Sequence, residues 1–138
     1  MVYDYSMSER KSSLVQGEYY HLYNRGNSKQ VIFREPSDYV RFQALLYLSN
    51  SDERFVFREI DEKSLFTLSR NQEQVRIEAY CLMPNHFHIL LTPLVDDGVS
   101  TFMKKLSTGY SMYFNKKYER TGSLFEGRFK SQLADTDQ

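Results

Sequence analysis

Two histidines separated by one bulky apolar residue are the side chains of this sequence best suited to metal chemistry. His86 and His88 flank Phe87 in a run of β-forming residues that follows the turn Pro84-Asn85. Alternate residues of a strand share a face, so the two imidazoles should lie on one side, about 6.6 Å apart along the chain. Two neighbouring imidazoles can hold one divalent metal ion. The spacing is also compatible with two surface histidines on a half-buried strand.

The third histidine, His21, belongs to another strand-like segment. It has the same parity as Tyr19 and Tyr23, opposite the apolar Leu22. If this strand lies beside that of His86, all three histidines share one face of the sheet, and His21 becomes a candidate neighbour of the metal. The alternative is a sheet histidine that is hydrogen-bonded to a neighbouring side chain.

The periodicity of apolar residues and the turn signals predict the elements that position these histidines. We expect strands at 18–24, 74–83, 86–93 and 124–133, and helices at 36–49 and from a Ser100 or Thr101 cap to Thr121-Gly122. Segment 50–72 should be a short hairpin or an irregular excursion. This order is that of the ferredoxin-like split βαβ fold. The prediction is therefore an α+β fold whose four-stranded antiparallel sheet carries two helices on one face and the histidines on the other.

The only cysteine, Cys81, lies in the predicted strand 74–83. Alternation along that strand places Cys81 on one face with Val75, Ile77 and Ala79, so we expect a small buried side chain. A single cysteine provides neither a disulfide framework nor a thiolate metal cage.

The length of 138 residues predicts a single domain spanning 1–138, whose polar segment 1–16 should be flexible. No apolar run reaches 18 residues, and the N-terminal segment lacks the hydrophobic core of a signal peptide. We therefore expect a cytoplasmic protein that does not span a membrane.

The charge is unevenly distributed along a chain whose formal net charge is zero. Segment 99–131 carries seven Lys or Arg residues against two Glu, a net charge of about +5. A localised basic segment suits an anionic partner that is met on one face. A solvated helix face explains the same pattern.

Four sequence blocks, taken together, resemble the REP-associated tyrosine transposases, relatives of the single-tyrosine insertion-sequence transposases. They are 20–27 (YHLYNRGN), 79–88 (AYCLMPNHFH), 113–118 (YFNKKY) and 122–131 (GSLFEGRFKS), in that order. The resemblance covers about residues 17–135. It implies an HUH domain (histidine, bulky hydrophobic residue, histidine) that cleaves and rejoins single-stranded DNA near hairpins.

The resemblance also implies which residues would act. His86 and His88 match the family's metal-binding pair, and the ion used by the family is Mg²⁺ or Mn²⁺. Imidazole ligands suit Mn²⁺ better than Mg²⁺. The candidates for phosphate contacts with the DNA are Arg25, Lys104, Lys105, Arg128 and Lys130.

The nucleophile of the family is a tyrosine that forms a 5′-phosphotyrosine link. In the family it lies on a further helix beyond the GSLFEGRFKS-like block, together with another polar metal ligand, and this sequence ends at Gln138. We therefore expect the nucleophile beyond Gln138, and a truncated or degenerate copy of a longer protein. Within the chain, Tyr110, Tyr113 and Tyr118 are weak substitutes.

Two other functions are compatible with the same residues. One is a non-catalytic, single-stranded DNA-binding module on the same fold. The other is a zinc hydrolase on an unrelated scaffold, which needs a third ligand and a base that only His21 and Glu78 could supply. The oligomeric state stays open, since the family includes both monomers and homodimers.

Overall fold

The chain forms a four-stranded antiparallel sheet covered on one face by two helices. A computed structural model describes residues 14–134, whose strands and α-helices are β1 (Tyr20–Arg25), α1 (Pro36–Leu48), β2 (Val75–Met83), β3 (His86–Pro93), α2 (Gly98–Lys117) and β4 (Lys130–Leu133). The strand order is β2-β3-β1-β4, and every neighbouring pair is antiparallel. This confirms the predicted ferredoxin-like α+β fold, including the pairing of the first strand with the third.

The alternation of β3 decides which side of the sheet each of its residues occupies. Phe87 and Ile89 are fully buried, and Phe87 packs on Phe42 of α1. Burial of each such side chain contributes about 1.5–3 kcal/mol. The period of two then turns His86 and His88 to the opposite side, where they are half-buried. We call this surface, made of His86, His88 and the residues that point the same way from neighbouring strands, the histidine face.

A buried carboxylate joins the start of α1 to the end of α2. Asp38 accepts the backbone N–H of Arg34 (2.9 Å) before the first turn of α1. It also accepts the hydroxyls of Tyr113 (2.7 Å) and Tyr118 (2.6 Å), and Lys117 Nζ lies 2.8 Å from Oδ1. Burial acts to raise the pKa of Asp38, but these hydrogen bonds, that of Lys117 foremost, outweigh it and hold the pKa at about 2. The cluster thereby fixes the two helices against each other.

A β-bulge in β2 changes which of its residues face the helices. The register shifts between Ile77 and Ala79, which inserts one unpaired residue and moves every later side chain to the other face. Leu82 therefore packs on the core, while Cys81 lies opposite His88 and is exposed. The prediction that Cys81 shares a buried face with Ile77 is wrong for this reason.

The second helix begins earlier than its sequence predicts. Asp97 is the residue before α2 and has a left-handed backbone with φ of 59°. The next residue is Gly98, where a Cβ would lie 2.3 Å from the carbonyl oxygen of Gln74. The start of α2 therefore depends on this close backbone approach. The predicted cap at Ser100 or Thr101 is wrong, since both lie within the first turn.

The remaining segments differ in part from prediction. The fourth strand begins at Lys130, and the residues before it turn through Gly127, whose φ is 65°. Segment 50–72 is an irregular excursion with the 3₁₀ turns Phe57–Glu59 and Glu62–Thr67. Of the segment 1–16 that we expected to be flexible, residues 1–13 lie outside the described residues, and Leu14 packs against the core. Within residues 14–134 no helix combines the length and apolar character needed to cross a membrane.

The Asp38 cluster predicts a loss of stability in acid. The folded-state pKa of about 2 lies below the ordinary 3.8, so the stabilisation is present above pH 3.8 and is lost as the pH falls towards 2. A shift of this size corresponds to about 2 kcal/mol. Asp38→Asn should lower the free energy of unfolding at pH 7 by about 2–3 kcal/mol, measured by urea denaturation, and reduce its dependence on pH between 4 and 2.

The matched control is Glu119→Gln, which neutralises an exposed carboxylate just after α2. Its free energy of unfolding should stay within about 0.5 kcal/mol of the parent. Equal changes in the free energy of unfolding for the two substitutions would contradict the assignment of Asp38 as the residue that fixes the two helices against each other.

Candidate functional site

The pairing of β1 with β3 brings the three histidines of the chain together. The register places Tyr23 opposite His88 and Arg25 opposite His86, with His21 diagonal to His88. The ring centroids of His86 and His88 are 5.0 Å apart, and those of His21 and His88 are 4.9 Å apart. The expectation that His21 shares the face of His86 and His88 therefore agrees with this geometry.

His86 and His88, which we call the HxH pair, each have one ring nitrogen within hydrogen-bond distance of a neighbouring side chain. His88 Nδ1 lies 2.7 Å from His21 Nε2, and His86 Nδ1 lies 2.8 Å from the side-chain oxygen of Asn85. Because the Asn85 oxygen can only accept, His86 carries its proton on Nδ1 in this arrangement. In a neutral imidazole with this tautomer, Nε2 keeps a lone pair, which is the form that binds a metal ion.

The surroundings of His88 favour its neutral form. Burial lowers the pKa of His88, and the nearby imidazoles of His21 and His86 lower it further. A neutral imidazole is the species that coordinates a cation. His88 is thus available as a ligand near neutral pH without first losing a proton.

The donor set at this face consists of two imidazoles. Among the described residues, no group of three or more His, Cys, Asp or Glu side chains is arranged to hold a metal ion. His21 is turned towards His88, while Glu78 accepts the Tyr19 hydroxyl (3.1 Å) and pairs with Arg76. The two imidazoles fit a divalent ion that takes its other ligands from water or a phosphate. They do not fit the closed set of protein ligands, or the adjacent base, that a zinc hydrolase needs.

One row of side chains crosses the histidine face from edge to edge. The pairings of β2 with β3, of β3 with β1 and of β1 with β4 align Cys81, His88, Tyr23 and Lys130. The Tyr23 ring lies 6.0 Å from that of His88 and 5.0 Å from that of His21. Sequence parity already grouped Tyr23 with His21, but Cys81 was missed because the bulge leaves no signal in the alternation of β2.

The basic residues predicted to contact DNA divide between the two layers of the fold. Arg25 and Lys130 lie on the strands of the histidine face, where Arg25 pairs with Glu126, and Arg128 is exposed just before β4. The other two, Lys104 and Lys105, lie on α2 in the helix layer. Lys105 Nζ donates to the backbone carbonyls of Ser51 and Glu53.

None of the three tyrosines considered as nucleophiles lies on the histidine face. Tyr110 is fully buried and donates to the carbonyl of Ile32, and burial raises its pKa. Tyr113 and Tyr118 donate to Asp38; burial and that carboxylate raise the pKa of Tyr118. A phenol with a raised pKa that donates its proton to a carboxylate is a poor nucleophile at neutral pH.

Comparison with known proteins adds a family and a fold. A family model described as transposase, IS200-like, matches residues 14–137. A REP-associated tyrosine transposase solved in complex with a REP hairpin is 14% identical with a TM-score of 0.56, and the match covers 94% of this chain and 64% of that one. A transposase candidate from Deinococcus radiodurans R1 is 18% identical with a TM-score of 0.49 and coverages of 94% and 88%. The chain thus spans 64% of the length of the first of these, and the comparison with curated proteins gave no match.

The position of Cys81 predicts its reactivity in the folded protein. Because Cys81 is exposed beside His88 and is the only cysteine of the sequence, a thiol reagent such as DTNB should modify one equivalent per chain without denaturant. Cys81→Ser should remove the signal. Modification that requires urea would contradict the bulge, since a regular β2 would bury this thiol.

Proposed function

This chain belongs to the IS200-like transposase family, and from that membership we propose that it is a metal-dependent DNA transposase domain whose histidine face binds single-stranded DNA beside a hairpin. The reaction would cleave and rejoin one strand through a 5′-phosphotyrosine intermediate. The observation that carries the proposal is the HxH pair, held on the side of the sheet that the helices leave uncovered.

His86 and His88 would hold the cation, Mg²⁺ or Mn²⁺. Both have Nδ1 engaged by a neighbouring side chain, and the lowered pKa of His88 keeps that imidazole neutral. The cation, when bound, supplies Lewis acidity that polarises a scissile phosphate and neutralises the charge of a departing 3′-oxygen.

The side chains around the HxH pair suit a single strand. Tyr23 presents an aromatic ring next to His88, and such rings stack on unpaired bases with little regard to sequence. Lys130 lies opposite Tyr23, and Arg25 lies opposite His86. We assign phosphate contacts to Arg25, Arg128 and Lys130. The similar transposase solved with a REP hairpin supports a hairpin-bearing DNA as the partner.

A second candidate function is a DNA-binding module without cleavage activity. The observation in its favour is that Tyr110, Tyr113 and Tyr118 all lie in or beside the helix layer, with their hydroxyls bonded to Ile32 or Asp38. In this function the histidine face would bind DNA, with or without the cation, and transfer nothing.

The two functions are separated by a covalent-adduct experiment with the 138-residue chain. Labelled hairpin-bearing single-stranded DNA is incubated with and without Mn²⁺ and resolved on a denaturing gel. A Mn²⁺-dependent adduct establishes transposase chemistry, and peptide mass spectrometry then identifies the tyrosine. Binding without an adduct shows that no tyrosine of these 138 residues acts as the nucleophile. An adduct that then forms when a segment carrying the family's tyrosine is joined after Gln138 supports the transposase domain, and a continued absence of adduct supports the non-catalytic module. Absence of binding in both conditions would overturn both proposals.

The metal assignment predicts the effect of removing the imidazoles. His86→Ala and His88→Ala should each lower the Mn²⁺ affinity at least about tenfold, measured by isothermal titration calorimetry, because each removes one of two protein ligands. Lys104→Ala, which changes an exposed residue of α2, should leave the affinity unchanged. Unchanged affinity in the double histidine variant would show that the cation binds elsewhere.

The assignment of phosphate contacts predicts a change in salt dependence. Lys130→Ala should reduce the slope of log K against log[KCl] by about 0.7, as expected for one lost contact to a single strand. Lys104→Ala removes the same charge from the helix layer and should leave the slope unchanged. Fluorescence anisotropy with labelled single-stranded DNA measures both, and equal slopes for the two variants would contradict binding on the histidine face.

A further inference from the structure

The hydrogen bond between His21 and His88 gives a role to the one histidine outside the HxH pair. His21 Nε2 and His88 Nδ1 are 2.7 Å apart, the ring centroids are 4.9 Å apart and the ring planes differ by 22°, so the two imidazoles meet edge to edge and nearly in one plane. We propose that His21 is a positioning residue: it accepts the Nδ1 proton of His88 and so makes His88 present Nε2 to the cation. This inference rests on the proposed function, because it concerns how the same HxH pair is oriented.

The bond assigns His21 a supporting role and not that of a third ligand. A ring nitrogen that shares a proton with another imidazole has no lone pair left for a metal ion. His21 Nε2 and His88 Nδ1 are both used in this way, which leaves Nε2 as the nitrogen of His88 that can coordinate. The absence of a three-residue metal cluster among the described side chains agrees with this assignment.

The direction of the bond decides whether His88 is ready to bind. If His21 donates, the proton of neutral His88 lies on Nε2 and blocks coordination. If His88 donates from Nδ1, its Nε2 carries the lone pair. The binding-ready arrangement therefore requires the Nδ1–H tautomer of His88 and an unprotonated Nε2 on His21. Asn85 enforces the same tautomer on His86, since its side-chain oxygen only accepts.

The sheet holds His21 where this bond can form. Its neighbour Leu22 is fully buried and anchors β1 on the core side, so His21 must point to the histidine face. The Tyr23 ring lies 5.0 Å from that of His21 and 6.0 Å from that of His88, which supports both imidazoles from one side. Partners of this kind, which hold a metal-binding histidine by its other nitrogen, commonly change metal affinity about 10–100-fold when removed.

Two substitutions distinguish a hydrogen-bonding role from a packing role. His21→Gln keeps an acceptor oxygen but loses the aromatic ring, whereas His21→Phe keeps an aromatic ring but loses the acceptor. If the hydrogen bond positions His88, His21→Gln should keep the His88 tautomer and the Mn²⁺ affinity of the parent, and His21→Phe should lose both. A role in packing alone expects the reverse. Gln132→Ala, which changes the residue opposite His21 on β4, is the control for any change at this face.

The first readout does not depend on metal or on activity. Long-range ¹H–¹⁵N spectra of the metal-free, ¹⁵N-labelled parent protein report which nitrogen of His88 carries the proton. We expect the Nδ1–H tautomer in the parent, His21→Gln and Gln132→Ala, and a shift towards Nε2–H in His21→Phe. An Nε2–H tautomer of His88 in the parent would overturn the proposal, even if every variant failed to fold.

The second readout is the Mn²⁺ affinity from calorimetry on the same proteins, each first checked for folding by its thermal unfolding. His21→Phe should bind about tenfold more weakly, and His21→Gln within about threefold of the parent. Equal affinity in His21→Phe and the parent would overturn the positioning role. If instead the double variant of His86 and His88 retains Mn²⁺ binding while the tautomer results hold, the proposed metal site fails and the hydrogen bond stands.

Discussion

The burial of Phe87 and Ile89 beneath the two helices is the constraint on which the rest of the structure depends. Both side chains are fully buried, and leaving either in water would cost about 1.5–3 kcal/mol. Because side chains alternate along a strand, this burial sends His86 and His88 to the uncovered face and keeps them on the same side. A one-residue slip of β3 would place the imidazoles in the core, so the stability of the fold and the geometry of the histidine pair are enforced by the same contacts.

The Asp38 cluster, formed by Asp38, Tyr113, Lys117 and Tyr118, stabilises the helix layer that covers Phe87 and Ile89. The carboxylate accepts hydrogen bonds from Tyr113, Tyr118 and Lys117, and these bonds hold α2 against α1. They also explain the 113–118 block of the sequence without reference to catalysis. Its two tyrosines and one of its two lysines are hydrogen-bonded to a buried carboxylate, whose burial without these partners would be strongly destabilising.

The fold and the grouping of the histidines followed from the sequence because both rest on strong local alternation. Phe87, His88 and Ile89 carry the pattern of a strand with one apolar face, and His21 has the parity that its strand requires. The position of Cys81 could not be predicted, because a single extra residue in β2 reverses the alternation without altering composition. The start of α2 at Gly98 depends on a long-range contact with the Gln74 carbonyl, which no local signal reports.

The sequence also could not show which basic residues lie in the sheet layer and which lie in the helix layer. Lys104 and Lys130 are equally basic in the sequence, yet one lies on α2 and the other on β4, so net charge along a segment says nothing about which layer an anionic strand would meet. The histidines differ in this respect, because their surroundings select a chemical form as well as a place. His86 relies on Asn85, its neighbour in sequence, whereas His88 relies on His21, which reaches it only through the pairing of β1 with β3. In the proposed metal site, the readiness of His88 to bind a cation would therefore be a property of the assembled sheet, while that of His86 would be encoded in the turn before β3.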